Sequence, residues 1–418
     1  MQLSQAIWGR TKLEARPYQG RITEKATDMF RGHYRNKANE LTPASMSVMI
    51  ESPTGSGKTP TGLVTAATMQ RNPEAFGAKK INVVWMAMRK ELLGQARNEI
   101  VKWDIPVEAT ILSMFTNTLP DHLMHLEEGE KNLLILDECQ HDATTTMSNI
   151  HSTLFPNGRQ DGWFLGLSAT PYRTDLLKLC FESVVQDCGI HQLITDGYLS
   201  PFDHYSMPDF QPETVAAFYA AEWEKWGKSV VYFNTFEQCL RFKTALATLG
   251  HHTEVVTGGS DRDKQLDAYH SGKFNIVTNM MVLTEGWDCP DLKTAFVRDS
   301  GKGPTIQMGG RVFRKHESLP VKQVVQSTKT HHPMTKTAAP RMQYMWQDNS
   351  WRSLQINPHI EEISRDMVHR LAMIEIGMPN YLTDKGKKDR IKSWPPKEPK
   401  PKKARKSRAR QVEGEGDE

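Results

Sequence analysis

The sequence predicts an α/β protein made of two parallel-sheet domains in tandem. Over residues 45–335, short apolar runs alternate with amphipathic stretches, which is typical of parallel β-sheets covered by helices. The runs fall into two series separated by residues 196–212, a stretch rich in Pro, Asp and aromatic residues with no clear period. We therefore interpret residues 196–212 as the connection between the two domains.

The candidate strands are short, continuous apolar runs, as expected for strands buried on both faces. The first series is 47–51, 81–87, 110–113, 133–136 and 163–167. The second series is 229–233, 253–256, 275–278, 294–297 and 321–326. Strand signals fade after about residue 330, and residues 358–376 have the spacing of an amphipathic helix.

The chain divides accordingly into four parts. We predict a first domain at residues 1–198, a second at 199–335, a mainly helical C-terminal extension at 336–384 and a disordered basic tail with an acidic end at 385–418. Residues 385–410 hold nine Lys and four Arg against Asp389 and Glu398, with almost no core-forming residues. Such a tail favours attraction to nucleic-acid phosphates, although a solubilising extension or an interaction arm has the same composition.

Composition excludes several other classes of protein. The apolar fraction is 38%, and no run approaches the roughly 18 apolar residues that a membrane helix needs. The first residues show no signal-peptide core, so we expect a cytoplasmic protein. The five cysteines are scattered without a CxxC pair, which argues against a zinc site or a disulfide framework.

Residues 52–59, SPTGSGKT, have the pattern of a phosphate-binding loop between a strand and a helix. Gly55 and Gly57 let the backbone curl so that loop N–H groups point at phosphate oxygens. Lys58 is expected to reach the β- and γ-phosphates of ATP, and the Thr59 hydroxyl to bind Mg²⁺. The candidate nucleotide-binding residues of the loop are Thr54, Gly55, Ser56, Gly57, Lys58 and Thr59.

Two positions depart from the strict loop pattern. Ser52 replaces the first glycine, and Pro60 removes one N–H from the first helical turn, where proline is tolerated. A glycine-rich turn with an incidental lysine is the alternative interpretation. The strand and helix on either side favour the phosphate loop.

The apolar run 133–136 ends in two carboxylates, Asp137 and Glu138, about 80 residues after the loop. Alone, such a pair is most often the charged end of a strand. Beside a phosphate loop it predicts an ATP-hydrolysing site, in which Asp137 holds Mg²⁺ and Glu138 polarises the attacking water. ATP and Mg²⁺ are therefore the expected cofactors.

These two motifs and six further stretches, in the same order, resemble the motifs of superfamily 2 helicases over roughly residues 13–315. The resemblance is to DEAD/DEAH-like, ResIII-type members and to small DNA helicases of phages and bacteria. It implies two RecA-like domains in tandem that bind ATP in the cleft between them.

Three of the matching stretches belong to the first domain. RPYQ (16–19) resembles the Q-type motif, which implies that Gln19 reads the adenine edge. WMAMRKELLGQA (85–96) resembles motif Ia and implies a contact of Arg89 with the nucleic-acid backbone. GLSATPYR (166–173) resembles the S-A-T motif, which implies that Ser168 and Thr170 relay the ATP state to the nucleic-acid groove.

The second domain contains a motif IV-like stretch, 230–242, and a motif V-like stretch, VLTEGWDCP (282–290). Motif V implies that Thr284 faces the nucleic-acid backbone and that Gly286 and Asp288 lie near the nucleotide. Without the resemblance, a core strand followed by a helix would explain 230–242, and an ordinary loop containing Gly, Asp and Pro would explain 282–290.

QMGGRVFR (307–314) has the Q-x-x-G-R-x-x-R spacing of motif VI. Arg311 and Arg314 are three residues apart and so project from one helical face. The resemblance implies that both reach the γ-phosphate as arginine fingers and that Gln307 couples the domains.

The acid motif departs from the residue pattern that is usual in this family. Gln140 stands where DEAD and DEAH relatives have Asp or His, and His141 follows it. Glutamine there is more typical of superfamily 1, which lacks the S-A-T and Q-x-x-G-R-x-x-R patterns. Gln140 both donates and accepts hydrogen bonds, so it is able to bridge the two domains; a role for His141 stays open.

We predict an ATP-driven motor that acts on nucleic acid as a monomer. The residues found in the motifs favour DNA over RNA as its substrate. A duplex translocase, an annealing motor and a restriction-type motor subunit would carry the same motifs. A subunit that uses ATP only as a switch is disfavoured, since it would not need all of Lys58, Asp137, Glu138, Arg311 and Arg314. Some aromatic residues are candidates for base stacking, although packing is their commoner use: Trp287, Phe313, Trp346 and Trp351.

Overall fold

The computed structural model describes residues 3–141, 145–170, 181–284 and 286–354, which form two mainly parallel β-sheets with helices on their faces. The strands are β1 (Ser47–Glu51), β2 (Lys80–Ala87), β3 (Ala109–Ser113), β4 (Glu130–Asp137), β5 (Gly162–Ser168), β6 (Ser183–Gln186), β7 (Phe202–Met207), β8 (Ser229–Tyr232), β9 (Glu254–Val256), β10 (Ile276–Asn279), β11 (Thr294–Val297), β12 (Lys322–Ser327), β13 (Met342–Gln347) and β14 (Ser350–Ser353). The helices are α1 (Leu3–Trp8), α2 (Pro17–Arg31), α3 (Lys58–Gln70), α4 (Lys90–Trp103), α5 (Asp121–Met124), α6 (Thr145–Leu154), α7 (Ile190–Thr195), α8 (Pro212–Ala221), α9 (Trp223–Trp226), α10 (Phe236–Thr248), α11 (Arg262–His270) and α12 (Lys302–Gly310).

The first sheet has the strand order β3-β2-β4-β5-β1-β6, and its neighbouring strands are parallel. The carboxyl ends of β1, β4 and β5 therefore lie at one edge of the sheet. Glu51 pairs with Ser168, and Asp137 pairs with Leu167. This register places the glycine-rich loop after β1 beside the acid motif after β4 and the S-A-T motif after β5.

The second sheet has the order β14-β13-β7-β12-β11-β8-β10-β9 and is parallel except for the β13–β14 pair. Each sheet is covered by apolar side chains, and the largest buried ones include Trp85 in the first sheet and Tyr232 in the second. Two parallel sheets with alternating helices confirm the predicted tandem RecA-like fold.

All ten predicted strands are present, with ends that differ by a few residues. The interpretation of residues 196–212 as a plain connection is wrong, because β7 lies inside this stretch and between β13 and β12 in the second sheet. The polar side chains of β7 interrupt the apolar run by which the other strands were predicted. Asp203 forms an ion pair with Arg341 at 2.7 Å, and His204 lies 3.1 Å from Gln326, so these groups are paired although the strand is buried.

Two further strands lie beyond residue 330, where strand signals in the sequence fade. β13 and β14 form a hairpin within 336–384, and both residues of its turn, Asp348 and Asn349, have positive φ, as a two-residue type I′ turn requires. Trp346 and Trp351 pack on each other across this hairpin at 5.1 Å between ring centroids. Trp287 and Phe313 are buried, so packing accounts for all four candidate stacking residues.

Some predictions fall outside the described residues: the 358–376 helix, the 385–418 tail, Pro171 of the S-A-T stretch and Glu285 of motif V. Among the helices that are described, none combines the length and the apolar character needed to cross a membrane.

Candidate functional site

A cleft of about 300 Å³ lies where the loop edge of the first sheet meets residues of the second. It is lined by both carboxylates of the acid motif and by residues from the Q-type motif, the phosphate loop and motifs V and VI. The predicted residues that it brings together are Gln19, Thr54, Gly55, Gly57, Lys58, Thr59, Asp137, Glu138, Gly286, Asp288, Arg311 and Arg314. Stretches far apart in sequence thus converge on one cavity.

The glycine-rich loop needs its glycines. Gly55 and Gly57 have φ of +80° and +82°, which side chains other than glycine rarely adopt. Ser52, the departure from the loop pattern, takes part in holding this shape, because its hydroxyl lies 2.7 Å from that of Ser56. Ser56 in turn donates to the Pro53 carbonyl at 2.6 Å. Ser52, which stands in place of the pattern's first glycine, therefore helps to hold the loop through its hydrogen bond with Ser56.

Helix α3 begins at Lys58 directly after the loop, and Pro60 lies in its first turn, where its missing N–H has no helical partner to lose. The Lys58 Nζ lies 4.0 Å from Glu138 Oε1, and both side chains are only 9% exposed. An ammonium and a carboxylate thus face each other across a cavity that a phosphate group can enter.

The acid motif follows β4. Asp137 is its last residue and is buried. Glu138 has a φ of +56°, a left-handed conformation that is unusual for a non-glycine residue and costs on the order of 1 kcal/mol. Backbone strain of this kind is maintained where a side chain must be aimed, and Glu138 is aimed into the cleft.

A continuous series of hydrogen bonds runs from Glu138 across the cleft. Gln140 Nε2 donates to Glu138 Oε2 at 3.1 Å, and Gln140 Oε1 accepts from the Ser168 hydroxyl at 2.7 Å. The Ser168 hydroxyl also accepts from the Thr170 N–H at 3.0 Å. Gln307 Nε2, from helix α12 beside the second sheet, donates to the Thr170 hydroxyl at 2.9 Å. We call this series the Glu138–Gln307 relay.

The two arginines of motif VI line the cleft but are engaged within their own half. Arg311 Nε donates to the Thr284 carbonyl at 2.6 Å, and its Nη1 donates to the Trp287 carbonyl at 3.1 Å. Arg314 forms an ion pair with Asp288. Burial lowers the pKa of Arg314 to about 10, which is still high enough to keep the guanidinium charged at neutral pH.

The Q-type motif supports the loop from behind. Gln19 Oε1 accepts from the Arg16 N–H at 3.0 Å, and Gln19 Nε2 donates to the Ser56 carbonyl at 3.2 Å. The Tyr18 hydroxyl donates to the same carbonyl at 2.5 Å. The sequence prediction missed Tyr18, since a tyrosine before the glutamine has no spacing that marks it as a loop contact.

Of the candidate nucleic-acid residues Arg89 and Thr284, the first contacts the other half and the second is held within its own half. Arg89 precedes helix α4 and donates from Nη1 to the Val282 carbonyl at 2.6 Å. Thr284 is buried, and its hydroxyl donates to the Met281 carbonyl at 2.6 Å.

A second groove, of about 520 Å³, adjoins these residues and is lined by Arg89, Lys90, Phe115 and Arg262 among others. Phe115 is 60% exposed. Phe115 and Arg262 lie outside every motif, so no pattern in the sequence identifies them.

Thr59 and Asp137 supply the hard oxygen donors that Mg²⁺ prefers, and both line the same cavity. A second group of metal-binding residue types lies in the other half: His270, Cys289 and Asp291. Lys228 Nζ is 2.5 Å from Asp291 Oδ2, however, so an ammonium already compensates that carboxylate and disfavours a cation there.

Parts of this chain are similar in sequence to known proteins. A sequence profile of the family described as "Type III restriction enzyme, res subunit" matches residues 12–114. A "51.5 kDa protein" of Lactococcus phage (isolate 7-9) is 24% identical in an alignment of 271 residues that covers 58% of this chain and 57% of the phage protein. IRC3 of Saccharomyces cerevisiae, assigned as an ATP-dependent helicase, is 23% identical over 53% of this chain and 37% of its own length.

The chain is similar to superfamily 2 helicases of the DEAD/DEAH-like, ResIII type. This chain spans about half the length, or less, of the two relatives it matches.

Solved structures of helicase-like proteins share the fold. A fragment assigned as the HsdR subunit of a type I restriction enzyme from Vibrio vulnificus superposes with a TM-score of 0.56 at 17% identity, over 84% of this chain and 73% of that one. A variant of yeast Dbp5 bound to RNA and ADP BeF3 superposes with a TM-score of 0.50 at 14% identity, over 83% of this chain and 93% of that one. At these identities the likeness establishes the RecA-like tandem fold.

Proposed function

We propose that this chain is a nucleic-acid-dependent ATPase that works as a helicase or translocase, with DNA as its favoured substrate. The Glu138–Gln307 relay carries this proposal, because it connects the carboxylate next to the phosphate loop to the half that bears the two arginines. A site built only to bind a nucleotide would not need such a connection. The similarity to IRC3, assigned as an ATP-dependent helicase, supports the same class of activity.

In the proposed reaction, the loop N–H groups and Lys58 bind the phosphates, and Thr59 and Asp137 hold Mg²⁺. When bound, Mg²⁺ neutralises charge on the β- and γ-phosphates. Glu138, held by Gln140 at 3.1 Å, orients and polarises the attacking water.

Arg311 and Arg314 line the cleft opposite Glu138 and would stabilise the charge that develops during phosphoryl transfer. Their present partners are carbonyl oxygens of the motif V loop and Asp288, so reaching the phosphate requires an exchange of partners. That exchange would change the separation of the two halves, and alternation between the two arrangements would step nucleic acid across the second groove.

The remaining predictions are part of the proposal: a cytoplasmic monomer, domains at 1–198 and 199–335, an extension at 336–384 and a nucleic-acid-binding tail at 385–418. Deleting 385–418 is expected to weaken binding of single-stranded DNA and to flatten its dependence on salt, since each lost phosphate contact reduces the slope by roughly 0.7. Fluorescence anisotropy over a salt series measures both quantities. Unchanged binding would refute the assignment of the tail.

A duplex translocase within a restriction-type complex is the second candidate function. It is favoured by the match of residues 12–114 to a restriction-enzyme family and by the superposition on an HsdR fragment. Strand separation distinguishes it from a helicase, because the motifs are shared.

The decisive experiment measures ATP turnover with single-stranded DNA, duplex DNA, forked DNA and RNA, alongside separation of the forked strands. Lys58→Ala and Glu138→Gln serve as inactive controls. Stimulation by DNA with strand separation supports the helicase. Stimulation without separation supports the translocase, greater stimulation by RNA reverses the preference for DNA, and no stimulation by any nucleic acid contradicts the motor.

A further inference from the structure

One face of helix α4 forms a wall of the nucleotide cleft. Leu92, Gln95, Glu99 and Trp103 all line the cavity that holds the phosphate loop and both motif VI arginines. Their spacing of three, four and four residues keeps them on a single helical face. No motif named above assigns a function to Glu99 or Trp103.

The carboxylate of Glu99 has an unused hydrogen-bonding position. Its Oε2 atom is buried, and no residue that the structure describes donates a hydrogen bond to it. Buried polar atoms are almost always paired, and an unpaired acceptor costs free energy that a suitable donor would recover. The Arg314 guanidinium is near enough to interact electrostatically with Glu99 but donates no hydrogen bond to this oxygen, so a molecule bound in the cleft is the natural source of that donor.

The position of Glu99 indicates which part of a nucleotide would approach it. Trp103, one turn beyond Glu99, accepts a 2.8 Å hydrogen bond at its carbonyl from the N–H of Lys12, which leads directly into the segment carrying Leu13, Arg16 and Gln19. The end of α4 is therefore tied to the Q-type motif.

The chemistry of the nucleotide indicates which of its groups would lie beside Glu99. A phosphate beside Glu99 would suffer repulsion between like charges, whereas the neutral hydroxyl groups of a sugar are hydrogen-bond donors that a carboxylate accepts well. The phosphates have their own partners at Lys58 and at the loop N–H groups. The sugar of a nucleotide lies between its phosphates and its base. Glu99 lines the cleft one turn before Trp103, whose carbonyl is bonded to the segment that leads into the Q-type motif.

We propose that Glu99 is a specificity-determining residue that accepts hydrogen bonds from the ribose hydroxyls of the bound nucleotide, so that the site prefers ribonucleotides to deoxyribonucleotides. This inference rests on the proposed function, since it assumes that the cleft binds a nucleotide. Discrimination of this type is strong, because a site built to hold a hydroxyl is left with an unpaired buried acceptor when the hydroxyl is missing.

The test uses the full chain and isothermal titration calorimetry with three nucleotides: ADP, 2′-deoxy-ADP and 3′-deoxy-ADP. Each is measured with Mg²⁺ for the unaltered protein and for the variants Glu99→Ala, Glu99→Gln and Asn98→Ala. Asn98 is the preceding residue on the same helix and is exposed, so Asn98→Ala is the matched control. Circular dichroism checks that every variant is folded.

The unaltered protein is expected to bind ADP at least about tenfold more tightly than one of the deoxy forms, the effect of losing a hydrogen bond to a charged group. Glu99→Ala is expected to remove this ratio, Glu99→Gln to reduce it, and Asn98→Ala to preserve it. A ratio that survives Glu99→Ala, or a uniform loss of affinity for all three nucleotides, would overturn the inference. Absence of a preference in the unaltered protein would also overturn it, and failure to bind ADP at all would contradict the proposed function itself.

Discussion

The two halves of the cleft differ in how their charged groups are held. On the first-sheet side, Lys58 and Glu138 face each other across the cavity, and Glu138 is supported by Gln140. On the second-sheet side, Arg311 is held by two carbonyl oxygens of its own half and Arg314 by Asp288.

Lys58 is 4.0 Å from Glu138, beyond hydrogen-bond distance, whereas Arg311 and Arg314 must exchange closer partners to reach a phosphate. In the proposed function, the first half therefore binds the phosphates, and the half with exchangeable contacts responds to them.

The largest expected effect comes from the first-sheet half. Glu138→Gln removes the carboxylate that we propose polarises water while preserving the size of the side chain, and Lys58→Ala removes the ammonium that we propose binds phosphate. Each should lower nucleic-acid-stimulated ATP turnover by about 10³-fold or more, in the range of lost general-base catalysis. Glu128→Gln changes an exposed carboxylate and should leave turnover unaltered; equal effects of Glu128→Gln and Glu138→Gln would break the assignment.

Substitution of the motif VI arginines should have the next largest effect. It distinguishes a role in catalysis from a role in stability. Arg314→Ala should lower turnover by about 10²-fold with little change in thermal stability, since its ion-pair partner Asp288 is exposed and its interaction with Glu99 is electrostatic only. Arg311→Ala should lower turnover and also the midpoint of thermal unfolding, because it leaves two carbonyl oxygens without their donor. The exposed Arg241 supplies the control, Arg241→Ala. Equal stability of the two motif VI variants would contradict this division of roles.

The Glu138–Gln307 relay should show a smaller and more specific effect. Gln140→Ala interrupts it between Glu138 and Ser168 by removing two hydrogen bonds, and we expect a loss of roughly tenfold or more. We expect most of this loss in the stimulation of turnover by DNA and little in the turnover without DNA. A Gln140→Glu variant keeps the length but places two carboxylates together, so it should be at least as impaired. Uniform loss with and without DNA would show that Gln140 only positions Glu138.

The smallest effect concerns the stability of the motif V loop. Lys322 Nζ donates to the carbonyls of Pro290 and Leu292, and burial lowers the pKa of this ammonium to about 8. Below pH 8 the group is charged in both the folded and the unfolded chain. Between pH 8 and pH 9.5 the folded chain loses the proton first, so the free energy of unfolding should rise by about 1 kcal/mol from this group.

Urea unfolding at a series of pH values, with Lys322→Met as the comparison, measures this contribution. The difference between the two proteins should change across that interval, whereas Lys329→Met, at an exposed lysine, should show no such change. A difference that is constant with pH would contradict the lowered pKa of Lys322.

The sequence was sufficient for the parts of the molecule whose signal is local. The buried parallel strands were predictable because both faces are apolar, and the loop and acid motif because their chemistry requires a fixed spacing. β7 was not predictable in this way, since Asp203 becomes compatible with burial only through Arg341, which is 138 residues away. Likewise, Ser168 is 28 residues from its partner Gln140, so only the fold reveals that the unusual glutamine bridges Glu138 and Ser168.

The same limit applies to the cleft itself. Lys58, Asp137 and Glu138 were predicted with their roles from spacing, but the present partners of Arg311 and Arg314 depend on how the two halves meet. Glu99 carried no signal in sequence, because a glutamate on an amphipathic helix is ordinarily a solvent-exposed residue. Its buried oxygen is visible only when the cavity is formed.

In the proposed function, the binding of nucleotide and the binding of nucleic acid are coupled through the two halves. The affinity of the Glu138→Gln variant for single-stranded DNA is determined by fluorescence anisotropy, with and without saturating ATP and Mg²⁺. Coupling predicts a change in affinity of at least about fivefold, and a loss of that change when Gln307→Ala is added. Identical affinities with and without ATP would contradict the account.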